Sequence, residues 1–154
     1  MTPLIERAKQ DPLITILKRR YQKFSERSTR FNVICPTFEE LYQIISDQYC
    51  RSQICPYCGD VIGLDGFDGN SPSIDHKIPL TDGGDNSPGN LILVHAKCNL
   101  VKGTMDHMSF NYAIAGNRQA GGQDAVRKYL DTAYRGAKAN KITRHEKEKF
   151  GVQP

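Results

Sequence analysis

Two short metal-ligand pairs constrain this chain more than any other feature. The first is Cys55-Pro-Tyr-Cys58 and the second is His95-Ala-Lys-Cys98. A two-residue spacing turns both flanking side chains toward one point, and Zn²⁺ takes four nitrogen or sulfur ligands in a tetrahedron. Together the pairs predict a Cys₃His zinc site joining two distant segments. His95 has a second reading, as a hydrogen-bonded structural histidine, and Cys50 is then the reserve ligand. A lone Cys-x-x-Cys also suits a thiol oxidoreductase, but that reading expects a thioredoxin-like βαβ context, and none surrounds Cys55. Cys35 and Cys50 read as half-buried thiols. Five cysteines are an odd number, and Met1 to Arg7 lacks a basic flank followed by an apolar stretch. The cysteines therefore favour metal binding in a cytoplasmic protein over a disulfide framework.

The rest of the chain must build a fold around this staple. Its 154 residues suit one compact domain with a short arm. Mean hydropathy is −0.54, and no apolar run approaches the roughly 18–20 residues that cross a bilayer. Thr2-Pro3 offers a cap for a short first turn. Asp11-Pro12 starts a longer helix to about Arg27, with Leu13, Ile16, Leu17, Tyr21 and Phe24 at helical period. Thr37-Phe38-Glu39-Glu40 reads as a capping box opening a helix whose apolar face is Phe38, Leu41, Tyr42, Ile45 and Tyr49. The aspartates of residues 63–72 lack EF-hand spacing, so that segment reads as a connecting loop. Ser73–Ile78 and Leu91–Val94 read as strands, with a Gly/Asp/Asn/Pro-rich loop from Thr81 to Gly89 between them. Ala96 to Lys102 reads as a helix stopping at Gly103. A last helix spans Asp124 to Arg135, and the basic stretch Gly136–Lys149 reads as frayed.

Charge divides along the same lines. Residues 1–54 carry 9 basic and 6 acidic side chains, residues 55–107 carry 3 and 7, and residues 108–154 carry 9 and 4. An acidic centre between basic flanks suits a cation in the middle and a polyanion across the flanks. The flanking cations are Lys18, Arg19, Arg20, Lys23, Arg27 and Arg30 on one side, and Arg127, Lys128, Arg135, Lys138, Lys141 and Arg144 on the other. Solvation of helix faces is the plainer account of the same residues.

Between the two pairs lie Asp75-His76-Lys77-Ile78-Pro79, Gly83-Gly84-Asp85-Asn86, Asn90-Leu91 and Cys98-Asn99-Leu100-Val101-Lys102-Gly103. Their order resembles the HNH endonuclease family, also called His-Me or ββα-metal fingers, in its small phage and bacterial form with zinc knuckles. The resemblance covers about residues 55–103. It departs from the family pattern at Asn99, where the last H of HNH stands, and at His95, where a cysteine is usual. It implies an α+β fold: a zinc-braced, treble-clef-like ββα finger flanked by N- and C-terminal helices. The corresponding regions are a basic helical segment over 1–51, the finger over 52–108, and a C-terminal helix with a basic tail over 109–154, packed as a single compact domain. It further implies DNA as substrate, with 5′-phosphate and 3′-hydroxyl products, and the cytoplasm of a bacterium or phage-infected cell as location. His76 is then the general base, Asp75 and Asn99 hold a catalytic Mg²⁺ or Mn²⁺, and Asn90 braces the loop that orients the histidine.

The residue types suit that chemistry in their own right. Hydrolysing a phosphodiester needs an activated water, a cation for the developing charge, and groups that hold both. Histidine accepts a proton near pH 7, and a carboxylate with an amide oxygen suits a hard cation. Adjacent strand residues face opposite ways, so Asp75 and His76 meet at one point only if the strand ends or twists there. Lys102 either touches a phosphate or packs its stem. Asp106-His107, a second Asp-His pair with no asparagines following, reads as helix surface. A non-catalytic zinc ribbon that binds nucleic acid is the alternative function. One finger holds one active site, so cutting both strands requires a homodimer or sequential nicking.

Overall fold

The computed structural model describes residues 11–65 and 69–150, the last nine of these by backbone only. The Thr2-Pro3 turn lies outside the described residues. Helix α1 runs Pro12–Arg30, with Asp11 as its cap accepting from the Leu13 N–H at 3.0 Å. The other oxygen of Asp11 accepts the hydroxyl of Tyr42, which locks the start of α1 to helix α2, Phe38–Arg51. Thr37 caps α2 by accepting from the Glu40 N–H at 3.2 Å. The Glu40 carboxylate takes the Thr37 hydroxyl at 3.2 Å, so the box closes through side chains.

Strands β1, Pro72–His76, and β2, Leu91–His95, form a two-stranded antiparallel sheet with His76 opposite Leu91 and Asp75 opposite Ile92. Strand β1 ends at His76, two residues before the sequence pattern suggests. The Ile78 N–H turns instead to the Asn90 side chain at 2.8 Å. Every residue of β2 is buried, as a central apolar strand demands, yet only one of its edges has a partner strand. Gln48 of α2 supplies the other. Its amide donates to the Leu91 carbonyl and accepts from the Leu93 N–H, both at 2.8 Å, standing in for a strand.

Helix α3, Ala96–Lys102, follows β2 directly and stops at Gly103. Helix α4, His107–Phe150, is interrupted at Gly121 and Gly122. Gly122 sits at φ +73°, a conformation glycine adopts without strain. Beyond the break, Gln123 donates to the Cys58 carbonyl at 2.7 Å, Arg127 pairs with Asp60 at 2.9 Å, and Lys97 pairs with Asp131 at 2.9 Å. The distal limb is thereby strapped across the Cys55–Cys58 turn and α3. The stretch expected to fray after Arg135 is helical to Phe150. The core gathers Leu13 and Leu17 of α1, Leu41 and Ile45 of α2, β2, and Phe110, Ile114, Val126 and Leu130 of α4. No described helix is long and apolar enough to cross a membrane.

Replacing Gln48 by Leu keeps the volume but strands a buried carbonyl and a buried N–H on β2. Each orphan costs about 1–3 kcal/mol, so Gln48→Leu should destabilise the chain by about 2–6 kcal/mol in urea unfolding with an unchanged m-value.

Candidate active site and metal centre

The two ligand pairs converge. The ligand atoms of Cys55, Cys58, His95 and Cys98 all lie within 4.8 Å of one another, and all four residues are buried. The Cys55 and Cys98 sulfurs are 3.8 Å apart, close to the separation that bonds of about 2.3 Å in a tetrahedron impose. His95 places Nδ1 3.0 Å from the Cys58 sulfur while Nε2 reaches the Val61 carbonyl at 2.8 Å. A carbonyl can only accept, so Nε2 carries the proton and Nδ1 presents its lone pair to the thiols. This is the arrangement that orients a metal-binding imidazole. Crowding gives the thiols opposed acidities. Bonds to Cys58 and Cys98 pull Cys55 far down, and bonds to Cys55 and Cys58 push Cys98 far up. A dication resolves that competition by holding all three as thiolates. Cys50 is exposed and outside the cluster, not half-buried as expected, and Cys35 is half-buried.

The turn between the first two ligands reaches into the second centre. Tyr57 donates its hydroxyl to Asp75 Oδ2, and burial together with that bond holds its pKa well above the usual phenol value. His107 Nδ1 lies 3.1 Å from the same hydroxyl, and Asn111 lies 3.1 Å from His107 Nε2. With the tyrosine proton given to Asp75, His107 Nδ1 donates to the phenol oxygen. His107 is therefore half-buried in a network, not merely helix surface, while Asp106 caps α4 by accepting from the Ser109 N–H at 2.7 Å.

Strand alternation separates Asp75 from His76. Asp75 is 4% exposed, and besides Tyr57 it accepts from Lys102 Nζ at 3.1 Å. Lys102 also donates to the His76 carbonyl at 3.1 Å. This corrects the reading of Lys102 as a phosphate contact, because its side chain is only 1% exposed and serves as an internal counter-ion. The helix period explains the placement. Asn99 and Lys102 stand three apart on one face of α3, against β1. Asn99 donates to Ser73 Oγ at 2.9 Å and the Ile74 carbonyl at 3.1 Å, and Lys102 serves the next two residues.

His76 lies on the other side of the strand, stacked on Phe24 with ring centroids 5.8 Å apart and planes 11° from parallel. Its Nε2 is 2.7 Å from Asn86 Oδ1. Asn86 Nδ2 donates to Ser28 Oγ at 2.8 Å and to the Ile34 carbonyl at 3.0 Å. The carbonyl fixes which way the amide faces. Oδ1 must then point at His76, Nε2 must carry the proton, and Nδ1 is left as the basic nitrogen. No described residue bonds Nδ1. Burial lowers the His76 pKa, with the Asn86 bond opposing, so the ring stays neutral through the physiological range. Sequence reasoning missed Asn86, Ser28 and Tyr57 as site residues, although Asn86 stands inside the Gly83-Gly84-Asp85-Asn86 motif.

Asn90 works one step back. Its amide donates to the carbonyls of Ile78 and Asp85 at 3.0 and 2.8 Å and accepts from the Ile78 N–H. It cross-links the loop that carries Asn86. Gly84 closes the same loop, since a Cβ there would lie 1.9 Å from the Ile78 carbonyl oxygen.

Asp75, His76 and Asn99 line one cleft of about 850 Å³ whose far wall is α1. That wall presents Arg19, Arg20, Lys23, Arg27 and Arg30, and Lys141 of α4 joins it. Arg20 donates to Ser71 Oγ at 3.1 Å, and its buried Nε has no hydrogen-bond partner among the described residues. Lys18 and Lys128 are exposed but do not line this cleft, and Arg127 is paired with Asp60 and Asp124. The side chain of Arg144 lies outside the described residues.

The purified chain should carry one zinc per molecule by elemental analysis. Stripping it with a strong chelator should unfold residues 55–105, because metal-binding energy in such a finger is folding energy. Cys50→Ser should keep the zinc, and Cys98→Ser should lose it.

Among known protein families, residues 55–105 match the model described as HNH endonuclease. Comparison with curated proteins and with solved structures finds no significant match. The matched segment opens at the first zinc ligand, contains both strands, the histidine and its loop, and closes just past α3. The finger built on these four ligands is thus the part of the chain that matches the HNH endonuclease family, over about a third of its length.

Proposed function

We propose that this chain hydrolyses DNA phosphodiester bonds, with His76 as the general base. The observation that carries the reading is the relay Ser28–Asn86–His76, which leaves Nδ1 basic beside a wall of arginines. A histidine held in one tautomer, stacked on Phe24 and kept neutral by burial, is prepared to take a proton from an attacking water. The α1 cations supply the phosphate contacts that the acidic finger lacks. Such contacts set affinity and register and carry little sequence information. Asp75 and the free Oδ1 of Asn99 offer hard oxygens to a divalent cation, Mg²⁺ or Mn²⁺, whose chemistry is to neutralise charge building on the phosphate. The products expected from the family resemblance are a 5′-phosphate and a 3′-hydroxyl. With one such site per chain, cutting both strands takes a homodimer or two successive nicks.

One observation favours the alternative, a zinc finger that binds nucleic acid without cutting it: both oxygens of Asp75 are already engaged. Plasmid nicking with and without EDTA separates the two. Cleavage that EDTA abolishes supports the nuclease, and DNA binding without cleavage at saturating Mn²⁺ supports the alternative.

His76→Ala should lower cleavage by about 10²–10⁴-fold, the usual loss of a general base, with DNA affinity and zinc content retained. Asn86→Ala should lower kcat while sparing DNA affinity, since it frees the imidazole to rotate and change tautomer. The base must be neutral, and burial depresses its pKa below the ordinary 6.5. Activity should therefore hold as pH falls through 6.5 and drop only below it, in a kcat–pH profile. DNA affinity should fall with salt at about −0.9 log units per phosphate contact. Substituting Arg27 and Arg30 together should flatten that slope, whereas substituting Lys18 and Lys128 should leave it unchanged.

A further inference from the structure

We infer that Lys102 occupies the cation position at Asp75, and that a divalent ion binds there only by displacing its ammonium group. The inference rests on the nuclease reading for the identity of the ion, and on the geometry for the competition. Lys102 Nζ sits 3.1 Å from Asp75 Oδ1 and 3.1 Å from the His76 carbonyl. Two oxygens, one of them anionic, are what a hard cation seeks. The pair is shielded, with side chains 1% and 5% exposed, so neither charge is met by water.

Position in the fold makes the arrangement specific. Lys102 closes α3, where the helix end favours positive charge, and Gly103 at φ +58° ends the helix immediately after it. Asn99, one turn earlier on the same face, spends its amide N–H groups on Ser73 and Ile74, and among the described residues no donor reaches its Oδ1. Asn99 and Asp75 line one cleft. Tyr57 holds the second carboxylate oxygen from the zinc turn, so Asp75 cannot rotate away from the lysine toward an arriving ion without breaking that bond. The lysine must be the group that moves. Its four-carbon stem allows this, and the cleft beside it is the space into which the ammonium can move. The resting protein therefore holds an internal surrogate cation, and metal loading is coupled to release of that lysine. The same pairing keeps Asp75 from being a bare buried charge when no metal is bound.

The test measures Mn²⁺ binding to the zinc-loaded full chain without DNA, by the free-ion EPR signal and by the metal-induced shift in Tm. Lys102→Met and the more conservative Lys102→Gln should bind Mn²⁺ on the order of tenfold or more tightly than wild type, with a correspondingly larger Tm shift. Adding Asp75→Asn should abolish the gain. In the wild-type chain, where folding of a variant is not at issue, saturating Mn²⁺ should raise acylation of Lys102, mapped by mass spectrometry. Equal Mn²⁺ affinity in wild type and both variants overturns the inference, as does a gain that survives Asp75→Asn, or Lys102 protection unchanged at saturating Mn²⁺. Plasmid nicking by the same wild-type preparation is scored separately. EDTA-sensitive nicking with equal affinities would reject the displaced lysine and keep the nuclease, whereas tighter binding in the variants without nicking would do the reverse.

Discussion

Everything in this finger depends on four ligand atoms meeting in one place. Cys55 and Cys58 belong to a tight turn, and His95 and Cys98 straddle the junction of β2 and α3. A two-stranded sheet is too small to be stable alone, and the 7-residue α3 is far below the length at which an isolated helix persists. Holding the turn against the strand–helix junction removes both weaknesses together. The rest of the chain then packs on a fixed object: α2 lends Gln48 to the open edge of β2, and the distal limb of α4 straps the turn.

The same staple reaches the chemistry through Tyr57. Because this residue sits between Cys55 and Cys58, its hydroxyl position is set by the Cys/His cluster, and that hydroxyl meets Asp75. The Cys/His cluster and the Asp75 carboxylate are thus neighbours through Tyr57, in one polar network with Lys102 and His107. Inside a protein such networks are costly when half satisfied. Here each acceptor of Asp75 has its donor, and the pair of charges is internal.

On the other face of β1, His76 answers to different elements. Phe24 and Ser28 come from α1, and Asn86 from a loop that Asn90 and Gly84 hold closed. The basic helix supplies one stacking surface and one end of the relay that sets the histidine tautomer, so anchoring of His76 and the charged wall of the cleft are properties of a single element.

Much of this was legible in the residues themselves. Ligand spacing announced the zinc cluster, and caps and apolar periods located α1, α2, β2 and α3. These are signals written within a few residues of where they act. The alternation rule let Asp75 and His76 share a site only where the strand ends, and β1 ends at His76 with both residues lining one cleft. Tertiary structure alone decided who partners whom. Nothing local to Lys102 says that its ammonium reaches Asp75, 27 residues away, in place of solvent or phosphate. Asn86 and Ser28 are 58 residues apart, so no window along the sequence contains their bond. The sequence marks Asp124 to Arg135 as a helix but not what it packs on, because the contacts of Gln123, Arg127 and Asp131 are made with Cys58, Asp60 and Lys97, which lie on other elements. Short-range patterns determine which elements form, since backbone hydrogen bonds and side-chain period are local. The partners of a buried charge are determined only when the packed elements exclude water and leave each polar group one place to go.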